Sequence, residues 1–220
     1  MQSKQSIRPK IIAVSGGSGS GKTTLVGRLC QALGERGILV LQLDHYYRDL
    51  SHLSQAERDH RNFDHPDAFD TTLLIEQLTA LSAARAIRRP TYDFASHTRT
   101  GVEVALAPAP VILLDGILSL HWPEVRRLLD LAVYVDVDDD VRFIRRLRRD
   151  ISERGRTVEG VVAQYLESVK AMHDAYVAPQ KLVADIIVSW MDFNDRAVSM
   201  LAGMASSWLE DVRRGEVGPV

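Results

Sequence analysis

The chain has 220 residues, of which 45% are hydrophobic and 25% charged, and its formal net charge is −2 at neutral pH. Length and hydrophobic content predict a single α/β domain over residues 1–220, because two half-length domains would each have a small core. The nearly balanced charge argues against nucleic acid or a membrane as a partner. A polar segment at 1–8, no long apolar run and a single cysteine, Cys30, predict a cytoplasmic protein.

A glycine-rich segment follows the first apolar run, at 11–14, and precedes a helical pattern. The spacing Gly16-x4-Gly21-Lys22-Thr23 fits every fixed position of a P-loop, an order that a flexible glycine and serine turn would not require. Its backbone N–H groups and the helix dipole would hold the phosphates of a nucleotide, with the lysine on the outer phosphates and the threonine on Mg²⁺. The predicted phosphate site comprises Gly16, Gly17, Ser18, Gly19, Ser20, Gly21, Lys22, Thr23 and Thr24.

Further apolar runs along the chain predict buried parallel strands separated by helices. This alternation predicts a P-loop NTPase-like, doubly wound and mainly parallel five-stranded sheet, in which ligands bind at the carboxyl ends of the strands. Asp44 and Asp115 follow two of these runs and are therefore expected near the P-loop. The runs lie at 38–41, 111–114, 132–135 and 186–188.

Residues 86–106 interrupt the alternation with two short extended pieces, around 88–92 and 101–104, and a polar connection, which predicts an inserted antiparallel β-hairpin. The side chains of Tyr92, Phe94 and His97 form a polar and aromatic group on this hairpin. Aromatic stacking and one imidazole would suit a flat nucleobase. A small satellite core with an exposed histidine is the alternative, and the residues by themselves leave both open.

Three carboxylates, Asp44, Asp64 and Asp115, are candidates for the chemistry of the site. Phosphoryl transfer to an alcohol needs a carboxylate that accepts the proton of the hydroxyl and one that supports Mg²⁺. A carboxylate at a strand end can instead cap the next helix or turn. The predicted P-loop at the same end of the sheet favours the catalytic interpretation.

Two long helical patterns, at 138–153 and 158–176, are joined by a glycine between two arginines, which predicts a mobile helical lid over about 142–176. Several arginines recur at three or four residues and are expected on one face of the first helix. Arriving with a closing lid, they would neutralise charge on the transferred phosphoryl group. A solvated face or a nucleic-acid patch is the alternative. The arginines of this face are Arg142, Arg145, Arg146 and Arg149, and Arg148, Arg154 and Arg156 belong to the same crowded segment of the helix and its exit.

Several strings of the sequence, taken together, resemble the uridine kinase (uridine-cytidine kinase) family over about residues 11–188. The resemblance implies ATP-dependent phosphorylation of uridine, and of cytidine, to the 5′-monophosphate in pyrimidine salvage, and a homotetramer. Besides the P-loop, the strings are Asp44-His45-Tyr46-Tyr47, Asn62-Phe63-Asp64-His65-Pro66-Asp67-Ala68-Phe69-Asp70, Tyr92-Asp93-Phe94 with His97 and Arg99, Gly116-Ile117-Leu118, residues 149–156, Gln164-Tyr165 and residues 184–187.

The resemblance also implies a role for individual residues. Asp44 would be the catalytic base, assisted by Lys22 and Arg149, and Asp64 would hold the ribose hydroxyls. Arg149 and Arg154 would contact the triphosphate. The pyrimidine nucleoside would be bound by Tyr92, Phe94, His97, Arg146, Arg156 and Gln164, and Mg²⁺ by Thr23, Asp44 and Asp115.

Two departures from the family pattern leave part of the function open. Asp115 stands before Gly-Ile-Leu where relatives usually have glutamate, so its contact with Mg²⁺ is expected to pass through a water. Residues 189–193 replace the Pro-Arg-Gly-Gly that commonly lies beside the donor base, which leaves GTP as the alternative to ATP. The alternative functions are a P-loop kinase for another hydroxylated metabolite and a non-catalytic nucleotide-binding regulator.

Overall fold

A computed structural model describes residues 8–34 and 37–214, so most of the polar segment on which the prediction about the N-terminus rests lies outside the described residues. Five parallel strands form one sheet in the order β2-β5-β1-β6-β7, and β3 and β4 form a separate antiparallel pair. The predicted fold class is confirmed. The strands are β1 (Lys10–Gly16), β2 (Ile38–Gln42), β3 (Ile87–Asp93), β4 (Thr98–Leu106), β5 (Val111–Asp115), β6 (Leu131–Asp136) and β7 (Ile186–Ser189).

Helices cover both faces of the sheet, which explains why its strands read as continuous apolar runs. Along β1, Ile11 belongs to one buried cluster with residues of α3 and the hairpin, and its neighbour Ile12 belongs to a second cluster with α1 and α8. The α-helices are α1 (Lys22–Leu33), α2 (Gln55–Asp59), α3 (Thr71–Ser82), α4 (Pro123–Arg126), α5 (Asp139–Arg154), α6 (Val158–Gln164), α7 (Lys170–Met172) and α8 (Asp195–Arg214).

The helical run that begins with α6 continues to Val177 through two π-helical segments, Tyr165–Val169 and His173–Val177, on either side of α7. It then passes into a 3₁₀ segment, Ala178–Val183. Together with α5 it occupies the range predicted for the lid. Over residues 8–34 and 37–214, no helix is long and apolar enough to cross a membrane.

The strand register places the ends of β1, β2 and β5 at one edge of the sheet. Asp115 at the end of β5 pairs with Val14 of β1 on one side and with Gln42 of β2 on the other. Because Asp44 follows two residues after Gln42, in a 3₁₀ turn at Leu43–Tyr46, both carboxylates reach the edge from which the glycine-rich segment leaves β1.

The hairpin of β3 and β4 is fastened to the body of the protein by polar contacts. Arg99 donates to the Asp70 carboxylate at 3.1 Å and to the Tyr47 carbonyl at 3.0 Å. The Gln77 amide, on α3, donates to the Arg88 carbonyl at 2.8 Å and accepts from the Tyr46 hydroxyl at 2.7 Å. These contacts fix the hairpin beside the residues that follow β2.

Candidate active site

The phosphate loop, residues 16–23, runs from the end of β1 into the first turn of α1. Gly19 and Gly21 have φ angles of 80° and 93°, a region that residues with a Cβ rarely adopt. A Cβ at Gly19 would also contact the Arg142 carbonyl oxygen, and one at Gly21 would lie 2.5 Å from the Trp190 ring. Both positions therefore require glycine, and the loop can keep the open curl that a phosphate group needs.

Lys22 is buried at the base of this loop. Its side chain is 8% exposed, and its ammonium donates to the Gly17 carbonyl at 3.0 Å. Burial lowers the pKa of Lys22 to about 8, although the negative charges of Asp115 and Asp44 oppose this effect. The ammonium therefore lies among carboxylates that it can neutralise, directly below the loop.

The Asp44 carboxylate has the electrostatics of a proton acceptor. Burial, and next the charge of Asp115, raise its pKa to about 6, while Lys22 and Arg154 act in the opposite direction. A carboxylate with a pKa near neutrality is ionised at physiological pH and still basic enough to accept a proton from an alcohol. Burial likewise raises the pKa of Asp64, against the charges of Arg146 and Lys22.

The donor set beside the loop fits a magnesium ion. The Thr23 hydroxyl donates to the Asp115 carboxylate at 2.8 Å, and the charge of Asp115 acts on Asp44. Carboxylate and hydroxyl oxygens are hard ligands of the kind that Mg²⁺ prefers. Across residues 8–34 and 37–214 no group of three His, Cys, Asp or Glu side chains could hold a metal by itself. Phosphate oxygens of a nucleotide would therefore have to complete the coordination.

Aromatic side chains line the region between the hairpin and the segment after α2. The rings of Phe63 and His97 stack at 4.6 Å, and Tyr47 meets Phe63 edge-on at 5.3 Å. Tyr92 contacts Phe94 at 5.4 Å, and its buried hydroxyl has no hydrogen-bond partner among the described residues. The structure thus brings the predicted hairpin residues together. Phe63 was missed as a site residue, although its place beside Asp64 in the Asn-Phe-Asp string was a signal.

Two of the arginines predicted to bind the nucleoside converge on one glutamine, Gln164. The Arg146 guanidinium donates to Gln164 Oε1 at 2.9 Å and to the Ser18 hydroxyl of the phosphate loop at 3.1 Å. Arg156 donates to the same Gln164 oxygen at 2.9 Å. The contact with Ser18 shows that α5 reaches across to the phosphate loop.

The two arginines predicted for the triphosphate lie close enough to the central groups to influence their ionisation. The charge of Arg149 contributes to the lowered pKa of Lys22, and the charge of Arg154 opposes the raised pKa of Asp44. Both guanidinium groups lie next to the Asp150 carboxylate. Asp150 was not assigned any role from the sequence.

Two other arginines of α5 have main-chain partners, and one of them, Arg142, also contributes through its charge to the lowered pKa of Lys22. Arg142 is 3% exposed, donates to the Val137 carbonyl at 3.2 Å, and packs beneath the phosphate loop. Arg145 donates to the carbonyl groups of Trp190 and Met191 at 3.0 and 2.5 Å. One face of a helix is broad, and long side chains on the same face can reach partners on opposite sides of the helix.

The segment 189–193, which departs from the family pattern, packs beside the phosphate loop. Trp190 is 2% exposed and lies against Gly21. A cavity of about 250 Å³ opens there, next to Thr24 at the start of α1. Its lining consists of Gly21, Thr24, Arg145, Trp190, Met191, Asp192 and Phe193.

A parallel sheet with a glycine loop at its carboxyl edge, a buried lysine, carboxylates and converging arginines defines the class of P-loop kinases, enzymes that transfer a phosphoryl group from a nucleotide. The family model described as phosphoribulokinase/uridine kinase matches residues 11–197. The chain belongs to the phosphoribulokinase/uridine kinase family, as its sequence motifs predict.

Individual relatives and a solved structure agree with this assignment. The chain is 47% identical over 210 residues to the uridine kinase of Lactobacillus johnsonii, covering 95% of this chain and 100% of that protein. It is 46% identical over 203 residues to the uridine kinase of a Geobacillus species, covering 92% and 96%. The phosphoribulokinase of Rhodobacter spheroides shares the fold, with a TM-score of 0.61 and 20% identity over 84% of this chain and 71% of that one.

Proposed function

We propose that this protein phosphorylates uridine, and also cytidine, at the 5′-hydroxyl with ATP as the donor, a reaction of pyrimidine salvage. The observation that carries the proposal is Asp44, a half-buried carboxylate at the edge of the sheet from which the phosphate loop leaves β1, with a pKa of about 6. The two relatives at 47% and 46% identity, both named uridine kinase, support uridine as the acceptor.

The acceptor side of the mechanism rests on three groups. The ionised Asp44 carboxylate orients the 5′-hydroxyl and accepts its proton as the oxygen attacks the γ-phosphorus of the donor, while the bond from that phosphorus to the β,γ-bridging oxygen breaks and ADP leaves. Asp64 accepts hydrogen bonds from the ribose hydroxyls. The hairpin residues, together with Arg146, Arg156 and Gln164, hold the pyrimidine so that the nucleoside cannot rotate away from the donor.

The donor side stabilises the charge that develops on the transferred phosphoryl group. Lys22 and the backbone N–H groups of the phosphate loop bind the phosphates, and Arg149 and Arg154 neutralise the equatorial oxygens in the transition state. Thr23, Asp44 and Asp115 would hold Mg²⁺, which supplies further neutralisation of the donor phosphates when it is bound. The cavity beside Thr24 supports this side of the loop as the place of the donor base.

A panel of nucleosides and sugars assayed with Mg-ATP and with Mg-GTP tests the proposal. We expect ADP formation that depends on uridine or cytidine, and slower turnover with purine nucleosides or sugars. Uridine-independent rates in every combination would overturn the proposal and favour a regulator. Turnover of another hydroxylated compound alone would assign the same site to a different acceptor.

Tyr92→Phe is expected to raise KM for uridine by about fivefold to tenfold, because the buried hydroxyl would lose a hydrogen bond to the pyrimidine. KM for ATP should stay unchanged, since the hairpin contacts only the acceptor. The measurement is steady-state kinetics with each substrate varied in turn.

Tyr134→Phe is the matched control for this prediction. Tyr134 is also a buried tyrosine, 3% exposed, but it lies on β6 within the sheet. Tyr134→Phe should leave KM for uridine and KM for ATP unchanged. Uridine kinetics that are the same in Tyr92→Phe and the wild type would count against a base-reading role of the hairpin.

We further propose a homo-oligomer, the tetramer that the family resemblance implies. Exposed valines on β4, Val102 at 61% and Val104 at 39%, support the hairpin as a contact between copies. Light scattering coupled to size exclusion measures the mass in solution, and a chain mass of 24.6 kDa at all concentrations would overturn this proposal.

A further inference from the structure

Asp150, near the end of α5, is a fully buried carboxylate surrounded by arginines. Its side chain is 0% exposed. Oδ1 accepts from Arg149 Nε and Nη2 at 2.9 and 2.8 Å and lies 3.6 Å from Arg154 Nη1. Oδ2 accepts from Arg156 Nη1 at 3.2 Å and lies 3.7 Å from Arg146 Nε. We call these four side chains, Arg146, Arg149, Arg154 and Arg156, the arginine cluster.

The main chain of Asp150 fixes the turn that follows α5, next to the arginine cluster. Its carbonyl accepts from the backbone N–H groups of Gly155 and Arg156, the latter at 3.1 Å, where Gly155 ends α5 in a left-handed conformation. One residue therefore fixes both the path of the chain after α5 and the guanidinium groups on either side of that turn. An ordinary helix cap would need only the carbonyl contacts.

The charge balance of the cluster is unfavourable without this carboxylate. Four guanidinium groups lie around one acid, so their mutual repulsion would drive them apart into solvent. Burial by itself would raise the pKa of Asp150, but the hydrogen bonds and charge of Arg149, with the charges of Arg154 and Arg146, hold that pKa below its ordinary value. The carboxylate is therefore ionised at neutral pH and remains a partner for the cluster.

The cluster also spans both halves of the site. Arg149 and Arg154 act on Lys22 and Asp44, whereas Arg146 and Arg156 share Gln164. Arg146 Nε is buried and has no hydrogen-bond partner among the described residues, so this guanidinium retains capacity for another acceptor. Oδ1 of Asp150 lies next to the two arginines predicted for the triphosphate, Arg149 and Arg154, and Oδ2 lies next to the two predicted for the nucleoside, Arg146 and Arg156.

We propose that Asp150 is a positioning residue for phosphoryl transfer: it holds the four arginines of the cluster at the spacing at which they meet the transferred phosphoryl group and the nucleoside together. The inference rests on the proposed function for the identity of the acceptor only. Asp150 itself contacts neither substrate and acts through the arginines.

Asp150→Asn removes the charge while keeping the side-chain shape. We expect kcat to fall by about 30-fold, because the arginines no longer converge on the transition state. Affinity for inorganic tripolyphosphate should change by less than about threefold, since the variant loses a negative charge but no cation. The affinity is read from tryptophan fluorescence, for which Trp190 beside Gly21 is a reporter.

Two further variants accompany this measurement. Asp150→Glu keeps the charge but shifts it by one methylene, and it is expected to recover part of kcat, to within about fivefold of the wild type. Asp174→Asn is the matched control. Asp174 is 55% exposed and pairs with Lys170 in the helical run that begins with α6. It should keep the kcat of the wild type.

The outcomes separate positioning from a purely structural role. Loss of kcat with retained circular dichroism, retained tripolyphosphate binding and partial recovery by glutamate supports the proposal. A kcat within about threefold of the wild type in a folded Asp150→Asn overturns it, as does joint loss of folding, phosphate binding and kcat in both variants. Should only the asparagine variant fail to fold, Asp150→Glu decides: a reduced kcat supports the proposal and an unchanged kcat overturns it.

Failure of the proposed function gives a different result. The wild type would then not phosphorylate uridine in the acceptor panel, and the ratio of kcat values would be measured on the acceptor that the panel identifies. The tripolyphosphate measurement needs no acceptor and stays valid in either case.

Discussion

Asp44→Asn is expected to lower kcat for uridine phosphorylation by about a thousandfold while nucleotide binding is retained. The asparagine has the same shape but cannot accept the proton of the 5′-hydroxyl, and the pKa of about 6 that suits Asp44 to this role has no counterpart in an amide. The measurement is kcat at saturating uridine and Mg-ATP, together with the dissociation constant of ATP from calorimetry. A regulator that only senses ATP would keep its ATP response.

The matched control is Asp140→Asn, an exposed carboxylate in the first turn of α5, which should leave kcat unchanged. An Asp44→Asn variant that keeps more than about a tenth of the wild-type kcat would show that another group accepts the proton.

Asp44→Asn should also stabilise the folded state, and this gain would distinguish a loss of catalysis from a loss of structure. The pKa of Asp44 is raised from 3.8 to about 6, so the folded state keeps its proton in a pH range where the unfolded state has lost it. Ionising Asp44 above pH 6 therefore costs on the order of 1–3 kcal/mol of stability, a cost that asparagine avoids. Urea unfolding at pH 7.5 without divalent cations should show the gain, and a lower stability would contradict it.

The sheet and the phosphate loop could be predicted from the sequence because their signals are local. A strand buried on both faces, such as β5, must be a short apolar run, and a P-loop must have its glycines and lysine at fixed spacing. The hairpin strands were predicted too short, around 88–92 and 101–104. Most of β4 is exposed, so no change in burial marks its ends.

The directions of long side chains could not be predicted in the same way. Arg142 and Arg145 share the spacing of Arg146 and Arg149, yet only the packed structure shows that two of them hold loops and two face the site. The role proposed for Asp150 also depends on which groups surround it after folding. Burial and charge environment are properties of tertiary contacts, and neither spacing nor composition encodes them locally.

For segment 189–193, the sequence showed that the chain departs from the family pattern, but it could not predict how the segment packs. Trp190 fills the space against Gly21, and Arg145 holds the main chain of the segment through two carbonyl groups. The segment that departs from the family pattern thus packs beside the phosphate loop. In the proposed function, this segment lies against the donor base and the phosphate loop lies against the donor phosphates.

Lys22→Met is the second substitution with a large expected effect, a fall in kcat of about a thousandfold. Methionine fills the buried space but cannot donate to the phosphates or neutralise Asp44 and Asp115, whose charges act on the lysine. We expect KM for ATP to rise as well, because ground-state binding of the triphosphate also uses the ammonium. Kinetics with varied Mg-ATP at saturating uridine measure both quantities.

Lys10→Met is the control at the opposite end of β1, where Lys10 pairs with Asp130 at 3.0 Å, and it should keep the wild-type kcat. The wild type offers a second check, because burial lowers the pKa of Lys22 to about 8. Its cationic form is lost as the pH rises through this value, so kcat/KM for ATP should decline above pH 8. If the residual kcat/KM of Lys22→Met for ATP declined above pH 8 in the same way, the decline would have to come from the titration of another group.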